Sequence, residues 1–259
     1  MAHVELSVDD RGVAWVRLNR ADVHNAMNAA MIAELTLLAG RLGRDPAVRV
    51  VVLTGEGASF CAGGDLGWMR AQMEADAETR AREARALAEM LGALDVMPKP
   101  LIGRVQGQAF GGGLGLMSVC DVAVGVQTAR FGLTEVRLGL IPATIGPYVV
   151  ARMGAARARR VFFSGRRFDA EEAVALGLLA RAVPEAELDA AVEAEIAPYL
   201  SAAPGAVAAG KALVAELCAA PDEVQVRATI DALVARWESD EAAEGIGAFF
   251  DKRKPGWAQ

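Results

Sequence analysis

Two glycine-rich segments stand out as able to do chemistry: Phe60-Cys61-Ala62-Gly63-Gly64-Asp65 and Gly107-Gln108-Ala109-Phe110-Gly111-Gly112-Gly113. Glycine has no side chain to hold a ligand atom away, so its backbone N–H can approach closely. Two such N–H groups aimed at one point would stabilise an oxygen on which negative charge develops, and a helix starting near Gly112 would add its positive end. Taken singly, either segment is better explained by a tight turn or a close helix–strand contact. Other glycine motifs are incomplete. Gly205-x4-Gly210-Lys211 lacks a preceding strand, and Ala212 stands where a phosphate loop needs its Mg²⁺-holding hydroxyl. The run from Gly111 to Gly115 has Leu116 and Ser118 where a dinucleotide fingerprint needs its third glycine. No GxSxG segment supplies a serine nucleophile.

The segments need rigid elements behind them. Val4 to Val8 and Val13 to Leu18 alternate as half-buried strands do, and Met31, Leu35, Leu38 and Leu42 share a helix face. The β-branched run from Arg49 to Thr54 suits a buried parallel strand, as do Leu101 to Val105 and Asp121 to Val126. Between them, a charged stretch leads to a helix bearing Leu87, Met90, Leu91 and Leu94, which Pro98 and Pro100 stop, and a second helix runs from about Gly112 to Cys120. Strand, loop, helix and strand recur, the pattern of right-handed parallel crossovers. Beyond residue 200 only helices are expected, Ala206 to Leu217 and Pro221 to Trp237, then a short one reaching Phe249 and Phe250. Such a tail is an oligomerisation element or, less favoured, a lid.

Composition narrows the function classes. The 259 residues, 53% hydrophobic and 23% charged, suit one large α/β domain or a core with an appendage, divided here as 1–200 and 201–259. With 5% aromatics, Ala, Val and Leu must fill the interior. A net charge of −6 repels polyanions, which argues against nucleic acid and anionic membranes as partners. Cys61, Cys120 and Cys218 are too scattered for a disulfide frame or zinc site, and with only His3 and His24 no metal is expected. No signal-like N-terminus and no apolar run of membrane-spanning length are visible, so a cytoplasmic location is expected.

Three motifs taken together carry a resemblance: FCAGGDL, QGQAFGGGLGLMSVCDVAV and ARFGLTEVRLGLIPATIGPYV, in this order and spacing, resemble the crotonase or enoyl-CoA hydratase/isomerase superfamily. Similarity runs over nearly the whole chain, from RLNRADVHNAMN to FFDKRKPGW. The resemblance implies a spiral of stacked ββα turns as core, with a C-terminal helical region that builds a trimer, often paired into a hexamer. By position it implies that the N–H groups of Gly64 and Gly112 polarise the thioester carbonyl of an acyl-CoA. It places Ala62 beside the adenine end of the CoA and the neighbourhood of His24 beside its pantetheine or phosphates, with Asp65 and Leu66 also among the CoA-binding residues. Phe249 and Lys252 would lie against the CoA of a neighbouring subunit, Lys252 near its phosphates.

Family hydratases with two catalytic glutamates carry one two residues after the triple glycine and another twenty residues later. Here the first position is Gly115 and the second is Glu135. The apolar Phe131, Leu133, Val136 and Leu138 around Glu135 would raise its pKa, as proton transfer wants. Hydration of a 2-enoyl thioester must then hold and deprotonate its water with one carboxylate, whereas double-bond migration needs only one base. By mechanism the two are nearly even. GGGLGL with TEVRLGLIPATIGPYVVARMG and ARRVFFSGRRFDAEEAVALGLL is similar to bacterial methylglutaconyl-CoA hydratases of leucine degradation and related branched enoyl-CoA hydratases, which favours a hydratase. That resemblance implies a branched substrate whose distal carboxylate helps to hold the water. An enoyl-CoA isomerase and a non-catalytic acyl-CoA-binding subunit are the alternatives. No metal, nicotinamide or flavin is called for; CoA is the handle of the substrate.

Overall fold

The computed structural model describes residues 3–217 and 223–255. β1 (Val4–Val8) and β2 (Val13–Leu18) form an antiparallel hairpin, and α1 (Ala29–Arg44) carries the chain over to β3 (Val50–Gly55), which lies parallel to β2. The Asn28 side chain accepts from Met31 N and so opens α1, whose Met31, Ile32, Leu35, Ala39 and Leu42 face inward.

Three similar turns follow. β3 leads to β4 (Ser59–Cys61), α2 (Leu66–Glu74) and α3 (Ala77–Asp95). β5 (Leu101–Val105) leads to β6 (Gln108–Phe110) and α4 (Gly112–Ser118). β7 (Val122–Val126) leads to β8 (Arg130–Gly132) and α5 (Gly146–Met153). Because β3, β5 and β7 join one sheet and β4, β6 and β8 another, each turn is a strand of the larger sheet, a strand of the smaller and then helix. This is the expected α/β spiral of ββα turns. After α6 (Ala155–Ala158), β9 (Arg167–Asp169) closes the smaller sheet antiparallel to β8. α7 (Ala170–Ala175) leads to β10 (Arg181–Val183), parallel to β7, which completes the larger sheet in the order β1-β2-β3-β5-β7-β10. Every residue of β3 is buried, as a strand covered on both faces requires, and each fully buried Val or Leu there contributes about 1.5–3 kcal/mol.

The structure moves several expected boundaries. β3 begins at Val50, where pairing with Val13 starts, and the preceding Arg49 sends its guanidinium to the carbonyls of Tyr199, Leu200 and Ala202. β7 begins at Val122, paired with Ile102, and the carboxylate of the preceding Asp121 accepts from Leu101 N at 2.7 Å and Lys211 Nζ at 2.7 Å. α4 stops at Ser118 rather than Cys120, whose N–H turns back to Met117 O. The charged stretch after Asp65 contains α2, and the two glycine segments contain β4 and β6.

The tail is helical: α8 (Leu188–Ser201), α9 (Pro204–Leu217), α10 (Glu223–Trp237) and α11 (Asp240–Phe250). Pro221, expected to open α10, lies outside the described residues, as does Cys218. α9 contains the glycines and Lys211 of the incomplete phosphate motif, and Lys211 serves to anchor Asp121. α10 packs on α3 and α5, and α11 on the single helical turn Glu135–Leu138. Leu140, Trp237, Ala242 and Ile246 form a second apolar cluster apart from the main core, with Met69 and Met73 of α2 against it. Cys61 and Cys120 are buried free thiols. Among the described residues no helix is long and apolar enough to cross a membrane.

Candidate active site

The two glycine segments meet because neither carries side chains where they touch. Gly64 bridges Met27 through Met27 N to Gly63 O at 2.7 Å and Asp65 N to Met27 O at 2.9 Å. That ladder uses neither polar group of Gly64 itself. Gly63 has φ +96°, and a Cβ there would stand 2.9 Å from Phe110 O and 3.6 Å from Gly112 N, so only glycine permits the two turns to approach this far. Gly112 is the first residue of α4, and its N–H therefore has no acceptor within the helix. The Met27 Cε methyl occupies the space where a Gly112 side chain would begin.

Local hydrogen bonds fix the first segment. The Asp65 side chain caps α2 by accepting from Gly67 N at 2.8 Å and Trp68 N at 3.0 Å, and it receives Arg20 Nη2 at 2.9 Å. These donors hold its carboxyl below the usual range against the effect of burial. Asn25 is wholly buried and left-handed at φ +55°, and its Nδ2 donates to Glu56 O and Ser59 O. His24, also left-handed, places Nδ1 2.9 Å from Ser59 Oγ.

A cavity of about 440 Å³ opens where these segments face the turn beginning at Glu135, a size ordinary for a small-molecule site. Gly64, Gly112 and Glu135 all line it, together with Ala62, Leu66 and Phe249. His24, Asp65 and Lys252 are not on its wall; the first two serve the hydrogen bonds above, and Lys252 is exposed. Phe249 faces the cavity of its own chain, as do Leu233 and Trp237 of α10, so the tail forms a wall over this site.

Glu135 is the cavity's carboxylate. Its Oε2 is shut off from solvent and has no hydrogen-bond partner, and burial pushes its pKa up to about 7, opposed only in part by its own backbone N–H. An acid poised there can take and return a proton near neutrality. Two cations, Arg137 and Arg167, also line the wall without ion-pair partners among the described residues, Arg167 lying 5.0 Å over the Phe110 ring. Arg137, Arg167, Met27, Thr144 and Trp237 were not legible as site residues, since nothing in their local sequence distinguishes them from packing or surface positions. Among the described residues no three His, Cys, Asp or Glu side chains converge as metal ligands would.

The comparisons with known proteins agree with this geometry. The family model for enoyl-CoA hydratase/isomerase matches residues 9–259. The crystal structure of an enoyl-CoA hydratase from Mycobacterium avium superposes with a TM-score of 0.88 at 31% identity, covering 100% of both chains. An enoyl-CoA hydratase from Shewanella pealeana gives 0.80 at 38% identity over 98% of this chain and 96% of that one. AtuE of Pseudomonas aeruginosa gives 0.81 at 36% identity over 99% and 100%. With its ββα spiral, its paired glycine turns and a match over nearly its full length, the chain belongs to the enoyl-CoA hydratase/isomerase family.

Proposed function

We propose that this protein is an acyl-CoA enzyme that reversibly adds water across the double bond of a 2-enoyl-CoA. The observation that carries this reading is that Gly64, Gly112 and the high-pKa Glu135 line one cavity. The thioester oxygen sits between the N–H groups of Gly64 and Gly112, which stabilise the charge it gains as a nucleophile reaches the β-carbon. Ionised Glu135 accepts a proton from water as the water oxygen bonds to that carbon. It then returns the proton to the α-carbon as the enolate collapses, so one water is added and the glutamate ends as it began. Ala62 lies beside the adenine end of the CoA and the neighbourhood of His24 beside its pantetheine or phosphates, with Asp65 and Leu66 completing the loop that contacts it.

The acyl group in this reading is branched and bears a distal carboxylate, as in methylglutaconyl-CoA. The unpaired guanidinium groups of Arg137 and Arg167 support it, because a cavity wall otherwise largely apolar presents two cations. The assembly is a trimer or a pair of trimers, for which the exposed Leu213, Val214 and Val224 of α9 and α10 are suitable surface. Lys252 remains the residue for phosphates of a neighbouring CoA.

A second reading, isomerisation, draws on Gly115, since moving a double bond needs only the one base that Glu135 supplies. Incubation with 2-enoyl- and 3-enoyl-CoA thioesters, methylglutaconyl-CoA included, with products followed by mass, separates the two. Hydration adds one water to the 2-enoyl substrates; a shifted double bond at constant mass assigns the isomerase instead.

A further inference from the structure

Three buried side-chain polar atoms among the described residues have no hydrogen-bond partner: Glu135 Oε2, Thr144 Oγ1 and Arg181 Nε. Arg181 is otherwise anchored, donating to Ala191 O and Glu195 Oε1. The other two residues both line the cavity. An unpaired buried hydroxyl costs about 1–3 kcal/mol, and at 4% exposure a methyl in its place would pack as well. No described residue hydrogen-bonds the Thr144 hydroxyl.

The place of Thr144 suggests what does. Family members with two glutamates carry the first at the position of Gly115, and here a side chain at that position would be crowded. A Cβ on Gly115 would stand 2.7 Å from Ile145 Cγ2 and 3.1 Å from Ile145 Cβ. The residue that fills this space is the immediate neighbour of Thr144. Their segment is held by Ala143 N to Ile141 O at 2.8 Å, Gly146 N to Ala143 O at 3.0 Å and Val149 N to Ile145 O at 3.0 Å, the last of these within the first turn of α5. The segment that crowds a second carboxylate thus brings Thr144, whose buried hydroxyl is unpartnered, to the wall of the same cavity.

We infer that Thr144 is a positioning residue for the attacking water, its hydroxyl taking the holding task of the absent second glutamate. This rests on the hydration reading above. A water held in a closed site needs two or more polar partners. One of its hydrogens points to Glu135 and is transferred; the other, retained in the product hydroxyl, is donated to Thr144 Oγ1. Thr144 exchanges no proton with the substrate, so its effect falls on the orientation of the water.

The test compares Thr144→Val, which keeps the shape and removes the hydroxyl, with Thr144→Ser, which keeps the hydroxyl, on the 2-enoyl-CoA that the unmodified protein hydrates fastest. The expected result for Thr144→Val is a kcat lower by about 10- to 100-fold, the equivalent of one lost hydrogen bond, with KM within about twofold and Tm unchanged or higher. Thr144→Ser keeps kcat within about threefold. Hydration by the unmodified protein together with an undiminished kcat in Thr144→Val overturns the role of Thr144 and leaves the hydratase reading standing. Equal losses in both variants accompanied by a lowered Tm also overturn it, because they mark a packing role. An unmodified protein that adds no water to any 2-enoyl-CoA ends both.

Discussion

Gly111 lies directly against Glu135: a Cβ on Gly111 would start 3.0 Å from Oε1 and 3.5 Å from Cδ of the carboxyl. The Gly111 backbone, at φ +48° and ψ −117°, is in a region closed to residues with side chains. The turn that presents the Gly112 N–H thus forms one wall of the glutamate's own pocket. The Gly112 N–H and the Glu135 carboxyl, donor and base in the proposed reaction, are set by a single backbone bend without any intervening side chain.

Gly111→Ala therefore has two effects of one origin. The alanine adopts a strained conformation, costing about 1–3 kcal/mol, and its methyl displaces the Glu135 carboxyl. We expect a lower Tm and a kcat reduced at least tenfold, read by thermal melts and steady-state hydration. Wild-type kcat in this variant would mean that the contact does not matter for turnover.

Glu135→Gln keeps the shape and removes the proton-carrying group. Turnover should fall by about 10²–10⁴-fold while binding of a saturated acyl-CoA, measured by calorimetry, changes little. A large loss of affinity with surviving turnover would place the base elsewhere.

Because the Glu135 pKa lies at about 7 in the folded protein, well above the ordinary carboxylate value, the native state binds the extra proton across pH 4.5–7. Stability contributed by this site is therefore full at acid pH, declines through that window and levels off above it, by an amount of the order of 3 kcal/mol. Hydration needs the ionised form, so kcat/KM should rise with pH through about 7 as stability falls. Denaturant titrations of the unmodified protein and Glu135→Gln across this range should show a steeper decline of stability with pH in the former, the difference being the contribution of Glu135.

Gly115→Glu is expected to harm rather than improve the enzyme, since its Cβ meets Ile145 Cγ2. Overpacking of this kind costs about 1–3 kcal/mol. Adding Ile145→Ala should restore Tm, and melts of the single and double variants decide it.

Phe249 gives a complementation test. As it lines the cavity of its own chain, mixed oligomers of Phe249→Ala and Glu135→Gln should regain no activity. Recovery on mixing would show that Phe249 acts on a neighbouring site instead.

Five strands of the larger sheet were legible from alternation or β-branched runs with clear ends, and β1, β2 and β5 have the bounds so expected; β10, three half-buried residues long, was not foreseen. Nor was the smaller sheet. Its strands are three residues long, too short for any periodicity, and β4 and β6 run into glycine. α2 escaped notice because it buries only Gln72, turning Met69 and Met73 to the second apolar cluster rather than to the main core. Gly64, Gly112 and Glu135 were readable from ordered motifs, whereas Thr144 stands out by a partner it lacks, which no residue type records.

The wall that Leu233, Trp237 and Phe249 raise over the cavity ties the site to the order of synthesis. Glu135 leaves the ribosome about a hundred residues before the helices that enclose it, and the glycine turns earlier still. During that interval the apolar pocket faces solvent, a surface on which a chaperone or another nascent chain could settle. Competence for chemistry therefore arrives with the last helices, and a chain interrupted before them would carry the reacting groups in an open, adhesive groove.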